Sequence, residues 1–305
     1  MLSAIKAIPC ALTQIVLIKY FSYLAKAKGL FKKKNLKNEH AFITGAGCGL
    51  GKTIAKILSR KGVKITIADV NTKAAEDTSK EINSLGGKAT FIYCDVSKPE
   101  SVALAAKHAR SLFGPPTILI NNAGIVRGKE IEKLTQNDIE LTTKINQIAH
   151  FITIKEFLPD MLSQNKGHIV TISSNAGLIG VRMLSDYCAS KFAVMGLDEA
   201  LRVEMKSKRK NIKTTCICPY YINTGMFDGV KTNSFILPLL DMNRVAERIV
   251  LAIEQEEEMV TVPFITSLIP MLRTILSVKS FDRMMKGLGI SASMEDFKGS
   301  QSAKL

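Results

Sequence analysis

From residue 41 onward, short apolar runs alternate with longer stretches whose apolar positions recur every three or four residues. Ala41-Phe-Ile-Thr reads as a buried strand, and a glycine-rich turn leads from it into a helix ending near Arg60. Strands follow at 63–69, 89–96, 117–124, 167–174, 212–219 and 259–264. Between them lie helices over 72–85, 99–112, 137–163, 186–207 and 242–256, with Gly86-Gly87 stopping the first of these. The alternation predicts an α/β protein built on a single Rossmann-type, doubly wound parallel sheet. Residues 7–25 stand outside the alternation as an apolar run broken by Gln14 and Lys19. Residues 266–290 are again apolar, and residues 291–305 are polar and predicted to be disordered. The chain thus divides into a membrane-associating segment (1–37), a nucleotide-binding catalytic domain (38–265) and an apolar C-terminal helix with a polar tail (266–305).

Charge sharpens the reading of the ends. Of a net +15, residues 1–40 carry +7 and residues 260–305 carry +3, so the body is only mildly basic. No aromatic-studded basic face runs through the body, which argues against nucleic acid as a partner. Lys26, Lys28, Lys32, Lys33, Lys34 and Lys37 follow the apolar run directly, as expected for lysines facing anionic headgroups on the cytosolic side. A cleaved signal peptide, a spanning anchor, an interfacial helix and a helix packed on the protein's own body all remain open. The interruptions at Gln14 and Lys19 fit the interfacial helix best. The six cysteines (Cys10, Cys48, Cys94, Cys188, Cys216, Cys218) lack metal-ligand spacing, so reduced thiols and no metal are expected.

Candidate chemistry gathers at the predicted C-terminal ends of the strands. Gly45, Gly49, Leu50 and Gly51 occupy the first strand–helix turn, where glycine lets the backbone approach a pyrophosphate at a helix N-terminus. Asp69 ends the second strand, where a carboxylate accepts hydrogen bonds from an adenosine ribose and repels a 2′-phosphate, favouring NAD over NADP. Asp95-Val96 and Asn121-Asn122-Ala123-Gly124 end the next two strands. Tyr187 and Lys191 are one helical turn apart, so an ammonium lies near a phenol and favours its ionised form. Ser174 ends the preceding strand, thirteen residues before Tyr187, where its hydroxyl can hold the same substrate oxygen.

Each motif alone is weak. Together, Thr44-Gly-Ala-Gly-Cys-Gly-Leu-Gly51, Asp69, Asp95, Asn121-Asn-Ala-Gly124, Asn146, Ser174, Tyr187-Cys-Ala-Ser-Lys191 and the stretch Pro219 to Thr224 resemble the short-chain dehydrogenase/reductase family over residues 38–265. The similarity runs towards its epidermal retinol dehydrogenase, retinol dehydrogenase 10 and lipid-droplet 17-beta-hydroxysteroid dehydrogenase subgroup. The resemblance implies that Tyr187 is the general acid/base, that Lys191 lowers its pKa and binds the nicotinamide ribose, and that Ser174 orients the substrate. It further implies that Asn146 holds a relay water and that Thr224 meets the nicotinamide carboxamide. The implied activity interconverts a hydrophobic alcohol and its carbonyl with NAD, all-trans-retinol first, at the endoplasmic reticulum membrane or a lipid droplet with the catalytic domain in the cytosol. A steroid or other lipid alcohol substrate, a non-catalytic lipid-droplet protein on the same scaffold, and a homodimer stay open. Tyr220 and Tyr221 replace the small residue the family often carries after the proline, so the shape of the pocket there is undetermined by sequence.

Overall fold

This computed structural model describes residues 30–232 and 236–299, together with Gln14, Leu17, Ile18, Tyr20, Phe21, Ser22, Leu24 and Ala25. Most of the 7–25 run, Lys26, Lys28 and residues 300–305 lie outside the described residues. The strands are β1 (His40–Thr44), β2 (Lys64–Asp69), β3 (Lys88–Tyr93), β4 (Ile118–Asn121), β5 (Gly167–Ile172), β6 (Ile212–Pro219) and β7 (Met259–Val262). They form one parallel sheet in the order β3-β2-β1-β4-β5-β6-β7. The order reverses between β1 and β4, so connections diverge there and leave a crevice at the strands' C-terminal ends.

The expected doubly wound sheet is therefore present, and alternation along each strand explains its two covered faces. Ile43, Ile65, Ile120 and Val170 point to one face, under α1 (Gly49–Arg60), α2 (Thr72–Ser84) and α7 (Met242–Gln255). Phe42, Ala68, Leu119 and Ile169 point to the other, under α3 (Pro99–Phe113), α5 (Ala149–Ser163) and α6 (Ser185–Ser207). Phe42 and Phe157 stack with ring centroids 4.6 Å apart, and burying a side chain of this size is worth roughly 1.5–3 kcal/mol.

Two departures from the periodicity reading matter. The helix predicted over 137–163 is α4 (Gln136–Thr143) and α5, joined by a π-helical turn at Lys144–Ile148. Thr135 and Asp138 start α4 with a reciprocal capping box, each side chain accepting from the other's backbone N–H. Residues 291–299, expected to be disordered, instead fold back over the body. After α8 (Ile269–Ile275) and α9 (Val278–Gly287), the chain buries Ile290 and Met294 in a third apolar cluster with Tyr187, Tyr221 and Ile269. Backbone bonds Lys231 N–H to Ser293 O (3.0 Å) and Lys298 N–H to Asp228 O (3.0 Å) fasten this strap. A Cβ at Gly128 would overlap the Phe297 ring, and Arg182 bridges Glu130 (2.6 Å) and Glu295 (3.0 Å). Aliphatic residues inside a polar stretch carry the strap, and composition averages them away.

The N-terminal approach is likewise attached. Lys34 N–H donates to Glu254 O at 2.8 Å, its ammonium lies 2.8 Å from His168 Nδ1 and 3.6 Å from Glu256, and Leu36 is buried. Lys34 thus turns inward, unlike the headgroup-facing lysine expected from sequence. Tyr20 packs 5.8 Å from Phe264, just past the C-terminal end of β7.

Candidate active site

The glycine turn is shaped by contacts only glycine allows. A Cβ at Gly45 (φ +63°) would sit 2.9 Å from Ala123 Cα, and one at Gly51 would sit 2.6 Å from Asn122 Nδ2. Asn122 Nδ2 donates to Thr44 O (3.0 Å) and Gly45 O (2.9 Å), while Thr44 Oγ1 accepts from Asn122 N–H and Ala123 N–H. The end of β4 thereby clamps the turn after β1. Gly49 (φ +55°) differs, because its missing Cβ would meet only Thr224, at 3.9 Å. Gly49 and Thr224 therefore face each other across the crevice. Cys48 precedes α1 without a side-chain cap, leaving the first-turn N–H groups to an anion.

Asp69 stands at the rim, with Oδ2 accepting from Gly47 N–H (2.8 Å) and Oδ1 from Asn71 N–H (2.9 Å). Sequence reasoning passed over Gly47 and Thr44, although both sit inside the motif it used. Asp95 is held by Ser97 N–H (3.0 Å) and Ser97 Oγ (2.7 Å); burial works to raise its pKa, but these bonds and Lys98 bring it below the ordinary value. Val96 is buried in the core beneath, and Leu50 is half-buried against the opposite face. The fit to a dinucleotide is good: a close-approach glycine turn, an uncapped helix N-terminus and a rim carboxylate.

Ser174, Tyr187, Lys191 and Asn146 converge deeper in the crevice. Ser174 Oγ accepts from Ala176 N–H (3.1 Å) and hydrogen-bonds Tyr187. Lys191 is buried, donates to Ile172 O (2.9 Å), and places Nζ 5.4 Å from the Tyr187 ring centroid. Burial pushes the Tyr187 hydroxyl above its usual pKa, against the downward shift expected from sequence, while the Ser174 bond pulls it down. Burial brings Lys191 down to about 8. Asn146 lies on the π-helical turn and is fully buried. Its Oδ1 accepts from Ile125 N–H (2.8 Å), and Nδ2 donates to Ile125 O (2.9 Å) and Ser190 Oγ (3.2 Å). The Asn146 side chain is thus committed to fastening the loop after Gly124 to α6. His150, one turn further on, is buried and held neutral, its pKa lowered to about 3 by burial and by Lys191.

Beside Ser174 and Tyr187 opens a cleft walled by Ala176, Ile179, Val181, Leu184, Tyr220, Tyr221, Phe227 and Ile290. Tyr220 and Tyr221 line it edge to face at 4.8 Å, and Tyr221 Oη bonds Ser293 Oγ in the strap at 3.0 Å. Phe227 meets both Tyr187 (5.9 Å) and Tyr221 (5.0 Å) edge to face. The wall is apolar and aromatic and its floor polar, which suits a hydrophobic molecule with an oxygen at one end.

The sequence profile described as short chain dehydrogenase matches residues 39–234. The chain belongs to the short-chain dehydrogenase family. It is therefore an oxidoreductase by family. Among curated proteins it is 40% identical to epidermal retinol dehydrogenase 2 of Mus musculus, over 88% of this chain and 87% of that protein. It is 34% identical to retinol dehydrogenase 10 of Homo sapiens, over 90% of this chain and 89% of that one. A short chain dehydrogenase/reductase from Burkholderia phymatum, solved in complex with NAD, superposes with a TM-score of 0.73 at 26% identity, covering 79% of this chain and 94% of its own.

Proposed function

We propose that this short-chain dehydrogenase is a membrane-associated, NAD-dependent enzyme that interconverts a hydrophobic alcohol and its carbonyl, all-trans-retinol being the first candidate. The observation that carries the reading is the meeting of Ser174, Tyr187 and Lys191 at the polar floor of an apolar cleft. Kinship with retinol dehydrogenases supports the substrate class, and the NAD-bound relative supports the cofactor.

Gly45, Gly49, Gly51, Asp69, Asn122 and Thr224 would hold NAD, which when bound accepts hydride from the carbinol carbon. Ser174 Oγ holds the substrate oxygen, and Tyr187 Oη takes its proton. The Ser174 bond offsets part of the burial effect on Tyr187, and Lys191 Nζ lies 5.4 Å from the Tyr187 ring centroid, where a cation favours the phenolate. Asn146 acts by fixing the loop above Lys191. Asp69 selects NAD because the nearby α1 lysines are already engaged: Lys52 pairs with Glu81 at 2.9 Å and Lys56 pairs with the same carboxylate. The N-terminal segment places the enzyme on the endoplasmic reticulum or a lipid droplet. Among the described residues no helix is long and apolar enough to cross a membrane.

The test is turnover of purified full-length protein with NAD or NADP and a panel of lipid alcohols. Tyr187→Phe should lower kcat by about 10²–10⁴-fold while NAD binding, read by calorimetry, persists. Near-normal turnover in that variant would remove Tyr187 from the chemistry.

A further inference from the structure

Asn175 follows Ser174 directly and lines the same cleft, yet it plays no part in the reaction just described. It is only 4% exposed, and neither Oδ1 nor Nδ2 has a hydrogen-bond partner among the described residues. A buried amide with both ends unpaired is unfavourable, and such groups in native proteins call for an explanation. The backbone that carries this side chain is fixed. Its own carbonyl accepts from Leu178 N–H (2.9 Å) and Ile179 N–H (3.2 Å), and Ser174 Oγ caps the turn it begins. Leucine or valine would suit the neighbouring apolar wall without any unpaired group.

We propose that Asn175 is a specificity-determining residue that binds a second hydroxyl of the substrate, close to the reacting carbinol. An amide offers one acceptor and two donors, so its complement is a group that both donates and accepts, and a hydroxyl does both. Consecutive residues lie ~3.8 Å apart at Cα, a spacing that one substrate can bridge with oxygens on neighbouring carbons. Ser174 then takes the reacting oxygen and Asn175 its neighbour. Hydrophobic alcohols carrying a second hydroxyl beside the first are then preferred over retinol, whose single hydroxyl leaves Asn175 unpaired. Sites built to hydrogen-bond a substrate hydroxyl discriminate strongly against analogues lacking it, because the site's polar groups are then left unpaired.

This inference rests on the proposed dehydrogenase activity, and its test separates the two. The kcat/KM of wild-type enzyme with NAD is measured for 1,2-dodecanediol and 1-dodecanol, and again for Asn175→Leu and Asn175→Thr. A diol preference of about tenfold or more is expected in the wild type, collapsing in Asn175→Leu and partly kept by the hydroxyl of Asn175→Thr. If Asn175→Leu does not fold, the threonine variant decides through an intermediate ratio. No diol preference in the wild type, or an unchanged ratio in both variants, overturns the proposal. Should neither alcohol nor all-trans-retinol turn over, the dehydrogenase reading fails separately. The thermal shift given by each alcohol in the presence of NAD then decides: a larger shift with the diol, lost in Asn175→Leu, supports the Asn175 site, and equal shifts reject it.

Discussion

Two buried ionisable side chains on α6 respond to burial in opposite senses. Lys191 is pushed down and Asp198 is pushed up to about 6, with burial the largest cause and the nearby hydroxyls of Thr171 and Thr214 opposing it. Asp198 Oδ1 has no partner among the described residues. The folded protein therefore binds this proton more tightly than the unfolded chain, whose carboxyl titrates near 3.8. The stabilisation from the protonated form is complete below that value and is lost as pH rises through about 6. Asp198→Asn should raise unfolding free energy at pH 7 by about 1–3 kcal/mol and have little effect at pH 4, as read by urea denaturation. An equal effect at both values would place its origin outside titration. At Tyr187, whose pKa burial raises, the base form becomes more populated with pH. Alcohol oxidation should therefore climb with pH between about pH 7 and 9, while carbonyl reduction, which needs the protonated phenol, stays level over that range, seen in kcat/KM profiles for the two directions. Asp69 carries a further expectation. Asp69→Asn should narrow the NAD-to-NADP ratio of kcat/KM by about tenfold or more, and a wild-type preference for NADP would contradict the rim assignment.

At the scale of elements, the strands were legible because buried parallel strands are nearly continuous apolar runs. Ile43, Ile120 and Val170 announce their core places in any window. The glycine turn and the Tyr187–Lys191 spacing were legible for a similar reason, since each compresses a geometry into a short local pattern. The π-helical turn at Lys144–Ile148 was not. One inserted residue barely disturbs helical periodicity, and what sustains the turn is long-range: Asn146 meets Ile125 and Ser190 from distant parts of the chain. Asn175 and Ser293 were equally hidden, because a side chain's lack of a partner, or its bond to Tyr221, exists only after folding. Asn146→Ala should release the loop after Gly124 and lower kcat by at least about tenfold, with loss of stability of about 1–3 kcal/mol from the unpaired Ile125 backbone groups. Hydrogen exchange at Ile125 checks the cause: protection there unchanged from wild type would exclude it.

For the molecule as a whole, the proposed membrane attachment through residues 1–37 would decide where the enzyme works. Fractionation of full-length protein beside a chain beginning at Asn38 should leave the first with membranes and the second soluble. Resistance to high salt with release by detergent would assign the attachment to apolar insertion, and equal solubility of both would reject it. Lys34 is already paired with the body, so the salt-sensitive share falls to the remaining lysines.

The contact between Tyr20 and Phe264 carries this further. Phe264 follows β7 at the end of the sheet where Tyr220 and Tyr221 line the cleft, and Tyr220 N–H bonds Val262 O at 2.7 Å. Tyr20 is thus moored at the mouth side of the molecule. On the proposed membrane attachment, a water-insoluble alcohol dissolved in the bilayer would reach the enzyme by lateral diffusion in two dimensions. Its effective concentration is a mole fraction in lipid, so adding substrate-free phospholipid at constant total alcohol should slow the full-length enzyme by surface dilution. A chain beginning at Asn38 should follow the small aqueous concentration instead.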